Sequence, residues 1–341
     1  MFVITSQLAH SGSTDSTNTR FNVGFARSTI ADPMGGTMKY SVWYPTHTPN
    51  SVVELGPFEF EGTRKAPMAP GKFGLVLISH GTEGSDLGHR SIAVELAKAG
   101  IITAAPLHPR NNFRNNSGVG QRIVWDGRPR QISSIIDSLL QSTQFGPSIN
   151  TDQIGIFGFS AGGYTAISLL GAPADFQRLV EHCKNRHHMD PVCHHIDGKA
   201  DEFEKMIDTQ YPDAPLNFKD SRICSAVLAD PLAVMFSESA LRKIIDLPIL
   251  LYLPEIQNEL AAKFHGQHVF NTLISSGREK IRIEQIPGAH HFSFITPFPE
   301  KIARSIPKIA NDFGDFDREV FHQTLKVAIS QFFLNAFIDC E

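Results

Sequence analysis

Residues 153–163 read QIGIFGFSAGG, and this stretch decides the fold. Gln153–Phe159 has the composition and length of a buried strand, and Ala161–Leu170 directly behind it has that of a helix. Between them, Gly158-Phe159-Ser160-Ala161-Gly162 matches the pattern G-x-S-x-G. In a strand–turn–helix context that pattern describes a very sharp bend with a serine at its tip. The residues two positions away must be tiny so that strand and helix can approach each other, and Gly158 and Gly162 meet that demand. The Ser160 hydroxyl then projects over the carboxyl edge of a sheet. It also lies at a helix N-terminus, where free N–H groups favour developing negative charge.

Outward from this bend, strands and helices alternate. Phe73–Ser79 (FGLVLIS) is a continuous apolar run that ends in His80-Gly81, as suits a strand buried on both faces. Ser91–Ala99 is helical and stops at Gly100, Ile101–Ala105 is a second buried strand, and Pro129–Ser142 is an amphipathic helix. After the bend, strands are predicted at Ile223–Asp230, Leu247–Leu253 and Lys280–Ile286. Helices are predicted at Ser237–Ile245, Asn258–Ser276 and Arg318–Phe337. Phe321, Phe332, Phe333 and Phe337 recur at helical spacing and read as core. Ahead of residue 73, Phe21–Arg27 and Met38–Tyr44 are strand-like, and 45–71 reads as proline-punctuated loop. This alternation implies an α/β fold with a mostly parallel sheet covered on both faces. Residues 1–20, rich in Ser, Thr and Asn, read as a flexible segment, and 21–341 as one domain. Residues 172–220 break the rhythm as a charged, His-rich insertion.

Composition narrows the function. The chain has 341 residues, 41% hydrophobic and 19% charged, with a formal net charge of −4. That balance excludes wholesale disorder and offers no basic excess for nucleic acid. No apolar run approaches the roughly 20 residues of a membrane span. The first residues lack a basic segment followed by a long apolar core, so they do not read as a secretory signal.

Acyl transfer from a Ser160 nucleophile needs two N–H donors for the oxyanion. Ala161, the next residue, supplies one, and Thr82 in the loop LVLISHGTEG supplies the other. His80 precedes the nucleophile in chain order and reads as a loop-bracing histidine rather than the base. The base lies in a loop after the last major strand, so Pro287-Gly288-Ala289-His290-His291-Phe292 is the segment to consider. Of its two histidines, His291 is favoured over His290.

Ser-His-Gly in the first loop, GFSAGG at the bend and PGAHHFSFITPFP near the end together resemble the α/β-hydrolases called predicted dienelactone hydrolases. These are related to the platelet-activating-factor acetylhydrolases. The resemblance covers roughly residues 20–335, including DGRPRQISSIIDSLL and ICSAVLADPLA. It implies the α/β-hydrolase fold with a cap insertion, here at about 172–220. It also implies His291 as the base, because the family's usual Gly-Ala-Gly-His-Phe aligns on Gly288, Ala289 and Phe292. Similarity to the acetylhydrolases points to Asp230 as the acid. Many dienelactone-hydrolase-like proteins instead carry an Asp beyond the strand Leu250–Leu253, where this chain has Pro254-Glu255-Ile256-Gln257-Asn258-Glu259, so Glu255 and Glu259 are the alternatives. Dienelactone hydrolases proper use cysteine, and serine at the bend argues for ordinary esters.

The insertion contains Cys183 and Cys193 among histidines. A disulfide between them follows from the exported relatives; a zinc site and a solvated lid with free thiols are the competing readings. Cys224 and Cys340 are expected to be unpaired. A disulfide would argue for export, and the missing signal for the cytoplasm. The expectation is a serine hydrolase of carboxylic esters with short or medium acyl chains, lipid acyl groups among them, needing no cofactor and no metal. Thioesterase, amidase or polyester hydrolase chemistry and a silent binding module are the alternatives.

Overall fold

The computed structural model describes residues 20–186, 189–196 and 215–340. Its strands are β1 (Asn22–Ala31), β2 (Thr37–Thr46), β3 (Ser51–Leu55), β4 (Phe58–Arg64), β5 (Phe73–Ser79), β6 (Ile101–Pro106), β7 (Ile149–Phe159), β8 (Ile223–Ala229), β9 (Ile249–Ile256) and β10 (Ile281–His290). They form one sheet in the order β10-β9-β8-β7-β5-β6-β2-β1-β4-β3. From β6 across to β10 every neighbouring pair is parallel, whereas β2 runs antiparallel to both β6 and β1. This is the α/β fold with a large, mostly parallel sheet that the alternating elements implied. The expected flexible segment at 1–20 falls, except for Arg20, outside the described residues. Among those described, no helix is long and apolar enough to cross a membrane.

Central strands read as unbroken apolar runs because both faces are covered. Along β5, Leu75 and Leu77 enter one core and Val76 and Ile78 the other. On the first face lie α2 (Arg122–Gln141) and α3 (Ala161–Leu169), with Ile132, Ile135, Ile136 and Leu139 buried beneath them. On the second lie α1 (Arg90–Lys98) and the terminal helix Arg318–Ile338, through Ile92, Leu96, Ile329 and Phe333. The terminal helix fits closely: a side chain at Gly74 of β5 would strike the Phe337 ring, and one at Gly155 of β7 the Phe333 ring.

Four sequence-based expectations need correction. Residues 45–71 are not all loop, since β3 and β4 form an antiparallel hairpin there. Phe58 and Phe60 alternate with Glu59 and Glu61, a period-two signal in a half-exposed strand that the prolines obscured. The helix at 237–245 shrinks to Glu238–Leu241, capped by Ser237. The helix at 258–276 is broken into a 3₁₀ turn, Ala262–Phe264, and a helix, Gly266–Ser275. At the break, His265 leaves helical geometry and its Nδ1 accepts a hydrogen bond from the Ala233 amide at 3.0 Å. Finally, Cys224 and Cys340 are joined in a disulfide that ties the start of β8 to the end of the terminal helix. Sequence separation of 116 concealed that pairing.

Within α2, Pro129 cannot donate to the carbonyl of Trp125. That carbonyl accepts instead from the Tyr164 hydroxyl of α3 at 3.1 Å, which locks the two helices together.

Candidate active site

β7 and β8 are paired in register, Phe159 opposite Ala229, so Ser160 and Asp230 stand side by side where adjacent parallel strands end. Carboxyl ends of strands are where open α/β sheets carry their sites. Both residues have positive φ, 54° for Ser160 and 38° for Asp230, a region non-glycine residues avoid. The bend is over-determined by its bonding. The Ser160 amide donates to the Ala229 carbonyl, and the Ser160 carbonyl accepts from the Gly163 and Leu232 amides. A side chain at Gly158 would collide with the Gly162 carbonyl, and one at Gly162 with that of Ser79. The two glycines are therefore required by close approach. The Ser160 side chain does not cap α3. Ala161 is the first residue of that helix, so its N–H has no acceptor one turn back.

His291 follows β10, two strands beyond β8. Its Nδ1 lies 2.6 Å from Asp230 Oδ2, and both side chains are buried. A carboxylate only accepts, so in this hydrogen bond Nδ1 is the donor, and in the neutral ring Nε2 keeps its lone pair. The ring centroids of His291 and Phe159, the residue before Ser160, are 4.8 Å apart. Of the other acids considered, Glu255 Oε2 accepts from the Gly288 amide at 2.7 Å and Glu259 pairs with Lys308 at 2.8 Å.

The turn carrying His291 is braced from several sides. His89 Nδ1 donates to the Phe294 carbonyl and His322 Nε2 to the Ser293 carbonyl. Burial pushes the pKa of His89 down to about 3 and that of His322 down to about 4. His290 is engaged elsewhere: its Nε2 accepts from Arg318, which also holds Asp312.

The loop after β5 is braced differently. His80 Nδ1 donates to the Gly81 carbonyl at 2.7 Å, and its Nε2 accepts from the His108 amide at 3.2 Å. His80 is thus committed to bracing. Thr82 is exposed at the tip, and a side chain at Gly81 would come within 3.2 Å of Ser160 Cβ. Beneath the loop sits Arg128, which sequence reading passed over. The signal was available: Arg128 precedes the buried Ile132 and Ile135 at i+4 and i+7, on the apolar face of α2.

In the insertion, Cys183 and Cys193 form a disulfide. This removes the two thiolates that a zinc site or a free-thiol lid would need. Asp190, inside the bridged loop, is buried and accepts from His182 Nε2 and His265 Nε2, both at 2.8 Å, and from the Ala261 amide at 3.1 Å. Burial alone would raise its pKa, but these hydrogen bonds hold it well below the carboxylate range. The bridged loop is thereby clamped to His265, and His265 to the Asp230–Ala233 segment.

No protein-family model and no curated protein matches this chain. Among solved structures it is similar to a ferulic acid esterase from Streptomyces cinnamoneus, at 14% identity and a TM-score of 0.56. The match covers 95% of this chain and 92% of that one. At that identity the likeness speaks for the fold.

Proposed function

We propose that this chain is a serine hydrolase of carboxylic esters. What supports it is the 2.6 Å hydrogen bond between His291 Nδ1 and Asp230 Oδ2, at the same sheet edge as the left-handed turn of Ser160. In the proposed reaction Ser160 Oγ attacks the ester carbonyl as His291 Nε2 takes its proton. Asp230 orients the ring and stabilises the imidazolium. The amides of Thr82 and Ala161 hold the oxyanion. His291 returns the proton to the leaving alcohol, and a water activated by the same imidazole then releases the acyl group. The scheme draws on no cofactor or metal. Resemblance to the dienelactone-hydrolase-like and acetylhydrolase group favours short or medium acyl chains, with lipid acyl groups included. The insertion at about 172–220, of which 187–188 and 197–214 lie outside the described residues, is assigned by the same resemblance the part of a cap that limits acyl size and excludes water. Two disulfides are the bonding of a protein matured in an oxidising compartment, and we assign the hydrolase to one.

A fluorophosphonate probe tests the reading together with p-nitrophenyl esters of rising chain length. Wild type is expected to take one adduct on Ser160 and to hydrolyse the shorter esters, and Ser160→Ala to do neither. Folded wild-type protein that neither labels nor hydrolyses would make the chain a silent binding module. Turnover of thioesters or amides in preference to esters would reassign the leaving group.

A further inference from the structure

Arg128 is 1% exposed, and its three hydrogen-bond acceptors among the described residues are all neutral. Nε donates to Thr165 Oγ1 at 3.2 Å, Nη1 to Asn111 Oδ1 at 2.6 Å, and Nη2 to the carbonyl of His80. A buried cation without an anion is costly, and burial pulls its pKa down to about 9. Packing alone would be served as well by an apolar side chain, so the position of this charge calls for another explanation.

The acceptors supply one. A trans peptide is planar, with its C=O and N–H opposed, and no peptide bond among the described residues is cis. Arg128 pins the His80 carbonyl, which fixes the direction of the Gly81 N–H in the same plane. In the next plane, His80 Nδ1 and the Gly84 amide pin the Gly81 carbonyl at 2.7 and 3.1 Å, which fixes the Thr82 N–H. Two successive amides beside Ser160 are therefore set from their carbonyl sides. The His80 ring must be neutral to play this part, since Nδ1 donates while Nε2 accepts. Burial first, and Arg128 next, hold its pKa well below the ordinary histidine value. His108 is kept neutral by the same two causes, and it donates to Gln131 while accepting from Ser79.

We propose that Arg128 is a positioning residue for the oxyanion side of the site: anchored on the His80 carbonyl, it holds the 80–81 peptide plane from which the next plane carries the Thr82 N–H to the oxygen of an ester attacked by Ser160. The inference rests on the hydrolase reading above. Its action is indirect, because Arg128 touches the loop and not the reacting atoms.

Steady-state hydrolysis of p-nitrophenyl butyrate and inhibition by an alkyl trifluoromethyl ketone, which forms a tetrahedral adduct on serine, test it. Arg128→Met is expected to lower kcat by about 100-fold, to leave KM within about three-fold, and to weaken the ketone by a factor similar to the kcat loss. A folded Arg128→Met protein with kcat and ketone affinity near wild type overturns the inference. Should that variant fail to fold, His80→Ala and His80→Asn decide, because the Asn side-chain amide can replace the Nδ1 donor. His80→Ala is expected to lose about 100-fold in kcat and His80→Asn to regain at least ten-fold of it; equal activities overturn the inference. A wild type whose hydrolysis survives Ser160→Ala overturns the hydrolase reading and this inference together. Ser160-dependent hydrolysis that ignores Arg128 overturns this inference alone.

Discussion

Two loops flank Ser160, and the groups nearest the serine on each differ in charge: a carboxylate, Asp230, on one and a guanidinium, Arg128, behind the other. Around the turn carrying His291 the acids are Asp230 on the imidazole, Asp312 with Arg318 behind His290, and Glu255 on the Gly288 amide, with the neutral His89 and His322 bracing its carbonyls. The site-facing end of the loop after β5, residues 80–84, is secured by Arg128 and two neutral histidines, and Asp32 is reached from His108 through Gln131, whereas the acid of that loop, Asp86, pairs with Arg27 further along. The proposed reaction accounts for this asymmetry. Positive charge develops on His291 and negative charge on the substrate oxygen, so anions favour the transition state on the first side and oppose it on the second. The lesson is that a buried cation without a counter-ion can be explained by charge that appears only during turnover.

The largest test removes the acid from the histidine side. Asp230→Asn is expected to cost about 10⁴-fold in kcat, because the amide favours the wrong imidazole tautomer. A loss below ten-fold would shift the acid role to Glu255 or Glu259.

Next in size is the response of stability to acid. His80, His89, His108 and His322 all have depressed pKa values in the fold, with burial as the first cause. Below the ordinary histidine pKa of about 6.5 the unfolded chain takes up protons that the folded one refuses. Stability is therefore full above that pH and lost as pH falls towards about 4 for His322 and about 3 for His89. Each site contributes about 1.4 kcal/mol per pH unit across its window. Urea midpoints measured from pH 7 to 4.5 are expected to fall steadily, and less steeply for His322→Asn. A flat profile would mean these rings are not neutral and buried.

The comparison can also be broken by planting an acid on the wrong side. Asn111→Asp gives Arg128 the carboxylate it lacks. Activity is expected to fall about ten-fold as the cation is neutralised, while the melting temperature holds or rises. Unchanged kcat would show that charge near this loop is irrelevant. The smallest effect belongs to Glu255→Gln, expected to stay within about three-fold in kcat, since the amide oxygen can still accept from the Gly288 amide.

Much of the architecture was legible because its signals are local. Apolar runs such as Phe73–Ser79 and the glycines around Ser160 carry their meaning within a few residues. His291 and Asp230 needed chain order and family likeness as well, and the structure brings those two side chains into a hydrogen bond. What stayed hidden depends on distant partners. Nothing near Cys224 announces Cys340, and nothing near Asp190 announces His265. The β3–β4 hairpin was obscured because a half-exposed edge strand mixes charge with aromatic residues.

The terminal helix carries no residue of the proposed chemistry, yet Phe333 and Phe337 fill notches at Gly155 and Gly74, on the strands leading to Ser160 and to the His80–Gly84 loop. During refolding from denaturant, the strands and early helices can form before that helix docks, because its contacts are among the longest in sequence. Recovery of enzymatic rate should therefore trail recovery of the far-ultraviolet circular dichroism signal, and the lag would time the docking of Phe333 and Phe337.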